Sequence, residues 1–188
     1  MKVIRTFVAV LIDDDLRRRI AGVQDQLKRL APDVKWVAPE NLHVTMKFLG
    51  DVREDMLPDV FAAVEKAAGG FSPFDVSVSG LGAFPSPSRA RVVWVGLGDG
   101  WEQLRDLASA VEANLAALGF AREDKEFKAH ITIGRVKFSR FLDRLAEGFG
   151  EVESGGLGVQ SVASIAVMRS ELRPSGPVYT PLKMIPLS

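Results

Sequence analysis

The sequence predicts an α+β fold of two lobes. Internally duplicated β-α-β-α-β units with pseudo-two-fold symmetry would place two largely antiparallel sheets on either side of a central cleft, with helices on the outside. Three observations predict it. Short apolar or alternating runs interleave with runs whose apolar residues recur every three or four positions, so strands and helices alternate along the chain. After the stretch Phe84-Pro85-Ser86-Pro87-Ser88 the order of those runs begins again, each one roughly 85 to 90 residues after its counterpart. The tripeptide His-x-Thr occurs at His43 and again at His130, a spacing of 87 that matches the repeat and uses both histidines of the 188-residue chain.

Taken in order, residues 3–11 read as a buried strand, followed by a helix in which Leu16, Ile20, Val23, Leu27 and Leu30 fall on one face. Asp13, Asp14 and Asp15 stand where that helix begins, and carboxylates there interact favourably with the helix dipole. Lys35-Trp36-Val37 is a short strand ended by Ala38-Pro39, and the His43 strand comes next, turned by Gly50-Asp51. Pro58 suits the first turn of a second helix, which buries Leu57, Phe61, Val64 and Ala68 and is stopped by Gly69-Gly70. Residues 74–81 alternate as a half-buried strand. Past the Pro-rich loop come a strand at 92–97, a helix through Trp101, Leu104, Ala108, Val111, Leu115 and Leu118, and the His130 strand. A helix with Leu142, Leu145 and Phe149, a strand at 159–167 and a last strand at 178–185 complete the chain. Gly155-Gly156-Leu157-Gly158 leads into a strand rather than a helix N-terminus, so it reads as a turn and not as a phosphate loop. The repeats cover roughly residues 3–83 and 90–168 of a single bilobal catalytic domain, 1–188.

Composition narrows the chemistry. At 47% hydrophobic and 26% charged the chain has the balance of a globular protein with one sizeable core. Lys+Arg and Asp+Glu are equal at 24 each, so no broad positive field exists to hold a long nucleic acid, and any polyanion must be gripped locally. The absence of cysteine removes disulfides, thiolate metal sites and a cysteine nucleophile together. The apolar run from Phe7 to Ile12 is short for a signal segment and ends in three aspartates, which leaves a cytoplasmic enzyme as the expectation.

In each His-x-Thr frame the strand period of two puts the imidazole and the hydroxyl on one face, His43 with Thr45 and His130 with Thr132, over an apolar backing. If both strands line the groove between the lobes, the two imidazoles face each other across it. Histidine is the side chain of which one copy can be neutral and another protonated near neutral pH. Such a pair suits in-line displacement at phosphorus: one imidazole takes a proton from the attacking oxygen, the other gives one to the departing oxygen, and the hydroxyls donate to the non-bridging oxygens. A catalytic zinc site is the chemical rival, but it uses three protein ligands with carboxylates behind them, and no Asp or Glu stands at a ligand spacing from either histidine. A 2′,3′-cyclic phosphate on an RNA end fits this apparatus, with water giving hydrolysis and a 5′-hydroxyl giving joining.

The surrounding words are Arg5-Thr6-Phe7-Val8-Ala9, Trp36-Val37, the run from Glu40 through His43-Val44-Thr45-Met46-Lys47-Phe48-Leu49 to Gly50, Leu81-Gly82-Ala83-Phe84-Pro85, Arg91-Val92-Val93-Trp94-Val95-Gly96, His130-Ile131-Thr132-Ile133-Gly134-Arg135, Ser170-Glu171-Leu172 and Gly176-Pro177-Val178-Tyr179. Over nearly its whole length the chain resembles the two-histidine phosphoesterase superfamily, and within it the RNA 2′,3′-cyclic phosphodiesterase branch, historically called 2′-5′ RNA ligase. The resemblance implies a bilobal fold with the site in the cleft, no metal or other cofactor, and opening of the cyclic phosphate to a 2′-phosphomonoester. By position it implies His43 as proton donor to the leaving 3′-oxygen, His130 as proton acceptor from water, and Thr45 and Thr132 as phosphate-binding groups. Arg135 corresponds to a family arginine near phosphate and base, and Phe48 is a candidate platform for stacking the terminal base. Strict alternation puts both on the face opposite the histidines, so a bulge or the strand's end must turn them inward. The expected partners are RNA ends carrying a 2′,3′-cyclic phosphate or a 2′-5′ linkage, with no membrane and a monomeric chain. Lys125, Lys128, Arg135, Lys137, Arg140 and Lys47 would make a basic cleft mouth for one RNA terminus. The alternatives are a small cyclic-nucleotide or ADP-ribose cyclic phosphodiesterase, and a non-catalytic RNA-end binding module.

Overall fold

The structure is a computed structural model and describes residues 2–138 and 140–188. Nine strands and four α-helices follow one another among those residues: β1 (Val3–Leu11), α1 (Asp14–Leu30), β2 (Val34–Trp36), β3 (His43–Arg53), α2 (Leu57–Ala68), β4 (Phe74–Phe84), β5 (Val92–Leu97), α3 (Trp101–Ala116), β6 (His130–Val136), α4 (Leu142–Glu151), β7 (Gly158–Val162), β8 (Ser164–Arg173) and β9 (Gly176–Pro186). They form a four-stranded sheet of order β3-β1-β8-β9 and a five-stranded sheet of order β2-β6-β5-β4-β7, antiparallel at every pairing. The α+β class, the two antiparallel sheets and the helices that back them are those the sequence predicts.

The halves of the chain are not the lobes. The first sheet takes β1 and β3 from the first half and β8 and β9 from the second, while the second sheet takes β2 and β4 from the first half and β5, β6 and β7 from the second. The stretch expected as one strand at 159–167 is therefore two. The chain leaves the second sheet after Val162 and enters the first at Ser164. Gly50 does not turn the His43 strand either: it pairs with Thr6 at a positive φ of 71°, and the strand runs on to Arg53.

Each helix packs by the face its periodicity marks. α1 buries Leu16, Ile20, Val23 and Leu27, α2 buries Leu57, Val60 and Val64, and α3 buries Leu104, Leu107, Val111 and Leu115. Phe61, expected in the core, is half-buried under the Lys183 ammonium. α2 and α3 pack together beside the first sheet, and α1 and α4 beside the second. The apolar residues beneath both sheets form one continuous cluster. β1, central in its sheet, is buried on both faces: Val8 and Val10 enter the main core, and Phe7 and Ala9 pack with Ala166 and Met168 on the opposite face. Leu11 and Tyr179 lie against that second, smaller cluster. No helix among the described residues is long and apolar enough to cross a membrane.

Candidate active site

The two His-x-Thr strands occupy corresponding places. β3 pairs with β1 so that His43 faces Leu11 and Thr45 faces Ala9; β6 pairs with β5 so that His130 faces Gly96 and Thr132 faces Trp94. β3 and β6 belong to different sheets, yet their Cα atoms approach within 8 Å.

A bulge recurs at the same position of each frame. Thr45 pairs with Ala9 and Lys47 with Val8, which leaves Met46 unmatched; Thr132 pairs with Trp94 and Gly134 with Val93, which leaves Ile133 unmatched. An extra residue reverses the in-and-out alternation beyond it. Met46 and Lys47 are consequently both buried, as are Ile133 and Gly134, and the exposed residue that follows is Phe48 in one strand and Arg135 in the other. The bulges thus bring Phe48 and Arg135 to the strand face that carries the histidines rather than to the opposite one. Gly134 is fixed by close packing, since a Cβ there would lie 2.8 Å from Val34 Cγ1 and 3.0 Å from Trp36 Cε3. Gln24, fully buried in α1, holds the second bulge: its amide donates to the carbonyls of Ile133 (2.9 Å) and Val37 (2.8 Å).

Each imidazole is held the same way. His43 Nδ1 lies 2.7 Å from the Asn41 carbonyl, and His130 Nδ1 lies 2.6 Å from the Lys128 carbonyl. A carbonyl only accepts, so Nδ1 carries the proton in both rings and Nε2 is the nitrogen left to exchange one. In His43 that nitrogen lies 2.9 Å from Thr45 Oγ1, which donates to it when the ring is neutral. Aromatic rings support both. Phe7 and Tyr179 lie 5.0 and 5.4 Å from the His43 ring, the tyrosine edge-on, and Phe84 meets the His130 ring edge-on at 5.1 Å. Asn41 also donates through Nδ2 to the Pro177 carbonyl (2.8 Å), which ties β9 and its Tyr179 to the His43 strand.

Burial is the largest influence on either ring and pushes both pKa values below the ordinary histidine value; the backbone carbonyls oppose it. His130 and Arg135 depress His43 further, and Arg135 depresses His130. The Arg135 guanidinium is thus within electrostatic reach of both rings, and it also acts on Tyr179, whose pKa burial raises. A cleft of about 940 Å3 opens beside these groups, lined by Thr45, His130, Phe48, Phe84, Lys125 and Lys128 among others. Lys128 places its ammonium 5.5 Å from the Phe84 ring. Lys47 is not part of a basic mouth: its ammonium is buried against Glu112.

A family model described as LigT like Phosphoesterase matches residues 10–94 and 97–179, one His-x-Thr frame in each segment. The chain belongs to the LigT-like phosphoesterase family. Its relatives in that family include the RNA 2′,3′-cyclic phosphodiesterase of Methanothermobacter thermautotrophicus, 40% identical over 98% of this chain and 99% of that protein. A protein of the same name from Archaeoglobus fulgidus is 40% identical over 96% and 98%. Among solved structures, TT0787 of Thermus thermophilus superposes with a TM-score of 0.76 at 31% identity, over 97% of each chain.

In this LigT-like chain Thr45, Phe48 and His130 line the cleft, His43 and Thr132 share the strand faces of Thr45 and His130, and Arg135 is within electrostatic reach of both imidazoles. Sequence reasoning missed the groups that orient them: the carbonyls of Asn41 and Lys128, the rings of Phe7, Phe84 and Tyr179, and the Gln24 amide. Two signals were available. Phe7, Phe84 and Tyr179 fall within the words quoted for the resemblance, and a glutamine on the apolar face of α1, one residue after Val23, marks a buried polar contact.

Proposed function

We propose that this chain is an RNA 2′,3′-cyclic phosphodiesterase that opens terminal cyclic phosphates to 2′-phosphomonoesters, with His43 and His130 as acid and base. The observation that supports this best is the pair of imidazoles on corresponding strands, each with Nδ1 committed to a carbonyl and Nε2 free to exchange a proton, and with Arg135 in reach of both. The names of relatives 40% identical over nearly the full length agree with it. His130 is the more open ring and lines the cleft, which suits the base that removes a proton from water as that oxygen attacks phosphorus. His43, more deeply buried, then gives its Nε2 proton to the departing 3′-oxygen. Thr45 and Thr132 donate to the non-bridging oxygens, where charge is concentrated as the phosphorus becomes five-coordinate. Arg135 offsets the negative charge, and Phe48, 58% exposed, offers a face for the terminal base. With a 5′-hydroxyl in place of water as the attacking group, the same residues in the same roles form a 2′-5′ linkage and release the 3′-oxygen; in the reverse direction, cleavage of that linkage by the 3′-hydroxyl, the two histidines exchange roles.

The test is turnover of an RNA oligomer ending in a 2′,3′-cyclic phosphate, with EDTA present. Activity is expected to survive chelation, and His43→Ala and His130→Ala are each expected to lower kcat/KM by at least about 10²-fold, the lower end of what a positioned acid or base contributes, while the melting transition persists. Loss of turnover under EDTA, or retention of most activity by either variant, overturns the assignment.

A further inference from the structure

Lys47 lies within β3, four residues beyond His43, and its side chain is 1% exposed. An ammonium taken out of water must be both paired and hydrogen-bonded, because its desolvation is otherwise prohibitive. Here it donates to Glu112 Oε1 (3.0 Å), to Glu112 Oε2 (2.9 Å) and to the Ala121 carbonyl (2.8 Å), which uses all three of its protons. Glu112, on α3, accepts in turn from the backbone N–H of Glu123 at 3.0 Å. One ion pair therefore joins the His43 strand, a helix and two points of the segment between α3 and β6.

That segment, residues 117–129, contains no strand or helix. Its later residues Lys125, Phe127 and Lys128 nevertheless line the cleft, so this wall is held not by a backbone ladder but by side-chain bonds at 121 and 123 and by Phe120 and Phe127 packing on the core. The reacting end of a substrate rests on β3 and β6; His130 keeps its ladder partner Gly96 whatever happens at 121–123, and the Lys128 carbonyl that holds its ring lies five residues beyond the second anchored point, next to β6. Lys125 and Lys128 give this wall two cations to meet the phosphates of a longer substrate.

We propose that Lys47 and Glu112 are positioning residues that fix residues 117–127 as the cleft wall and so set the affinity for RNA beyond its terminal nucleotide. This rests on the cyclic phosphodiesterase reading above. The test compares the unaltered protein, Glu112→Gln, and the double variant Lys47→Met with Glu112→Met, which removes both charges and keeps a folded protein available should the single variant fail to fold. Each is assayed on a 2′,3′-cyclic mononucleotide and on an RNA oligomer with the same end, and hydrogen exchange is followed over residues 121–127. Exchange is expected to accelerate and KM for the oligomer to rise about tenfold, with kcat on both substrates and KM for the mononucleotide within about threefold. Unchanged exchange, an unchanged oligomer KM, or an equal loss on the two substrates overturns the proposal. If the unaltered protein turns over neither substrate, it is the phosphodiesterase reading that fails, and the exchange measurement still decides whether the pair fixes the segment.

Discussion

The two imidazoles both ionise below the ordinary histidine value, and this sets how the site answers to pH. On the proposed roles, the free protein needs His43 protonated, which holds only below its lowered pKa, and His130 neutral, which holds only above its own. The profile of kcat/KM, which reports the free enzyme, is therefore expected to peak on the acid side of about 6.5, the ordinary value. Arg135→Gln removes a cation that depresses both rings, so both limbs are expected to move to higher pH as KM rises; limbs that stay in place would put the guanidinium elsewhere. Stability has its own sign. Because the folded protein keeps these rings neutral, the unfolded chain binds more protons below about 6.5, and the melting temperature is expected to fall as pH drops through that value. At this scale His43, His130, Thr45 and Thr132 were legible because a period of two places them. The carbonyls of Asn41 and Lys128 were not, since a backbone atom carries no signature in the sequence; nor was the contact of Tyr179 with His43, which spans 136 positions although the residue itself stands in a family word.

At the scale of the strand, the pair of bulges is what allows one element to present three useful groups. Without Met46 and Ile133 as extra residues, Phe48 and Arg135 fall on the helix side of their sheets. Alternation alone predicts that wrong face, because a bulge exists only in the register with a partner strand. The clue lay in residues that did not belong: a lysine and a glycine at equivalent places of two otherwise apolar runs. Gln24 gives a direct trial. Gln24→Leu strips the Val37 carbonyl of its side-chain donor and is expected to cost about 1–3 kcal/mol of stability, the usual penalty for an unsatisfied buried group. It is also expected to raise KM with little change in kcat, because the bulge that aims Arg135 loses its brace. A variant with unaltered melting and kinetics would show the second bulge to be self-supporting.

At the scale of the molecule, the two repeats are interleaved rather than set side by side. The recurring order of elements was legible from spacing, but the allotment of strands to sheets was not, because ladder partners are chosen at distances that no local pattern records. Residues 159–167 illustrate it: a run of strand character hides the switch at Ala163 from one sheet to the other. Separately expressed fragments 1–86 and 87–188 are each expected to lack cooperative unfolding and to regain it, with activity, when mixed, since neither contains a complete sheet. A folded 1–86 fragment would contradict the interleaving.

That interleaving bears on descent. A lone copy of either half carries two of the four strands of one sheet and two or three of the five of the other, so it would complete itself only by trading segments with a twin. In such a twin pair His43 and His130 would be one residue in one setting, contributed once by each polypeptide. A single polypeptide carrying both halves is free of that equality, and the deeper seat of His43 and the more open one of His130 are differences it permits.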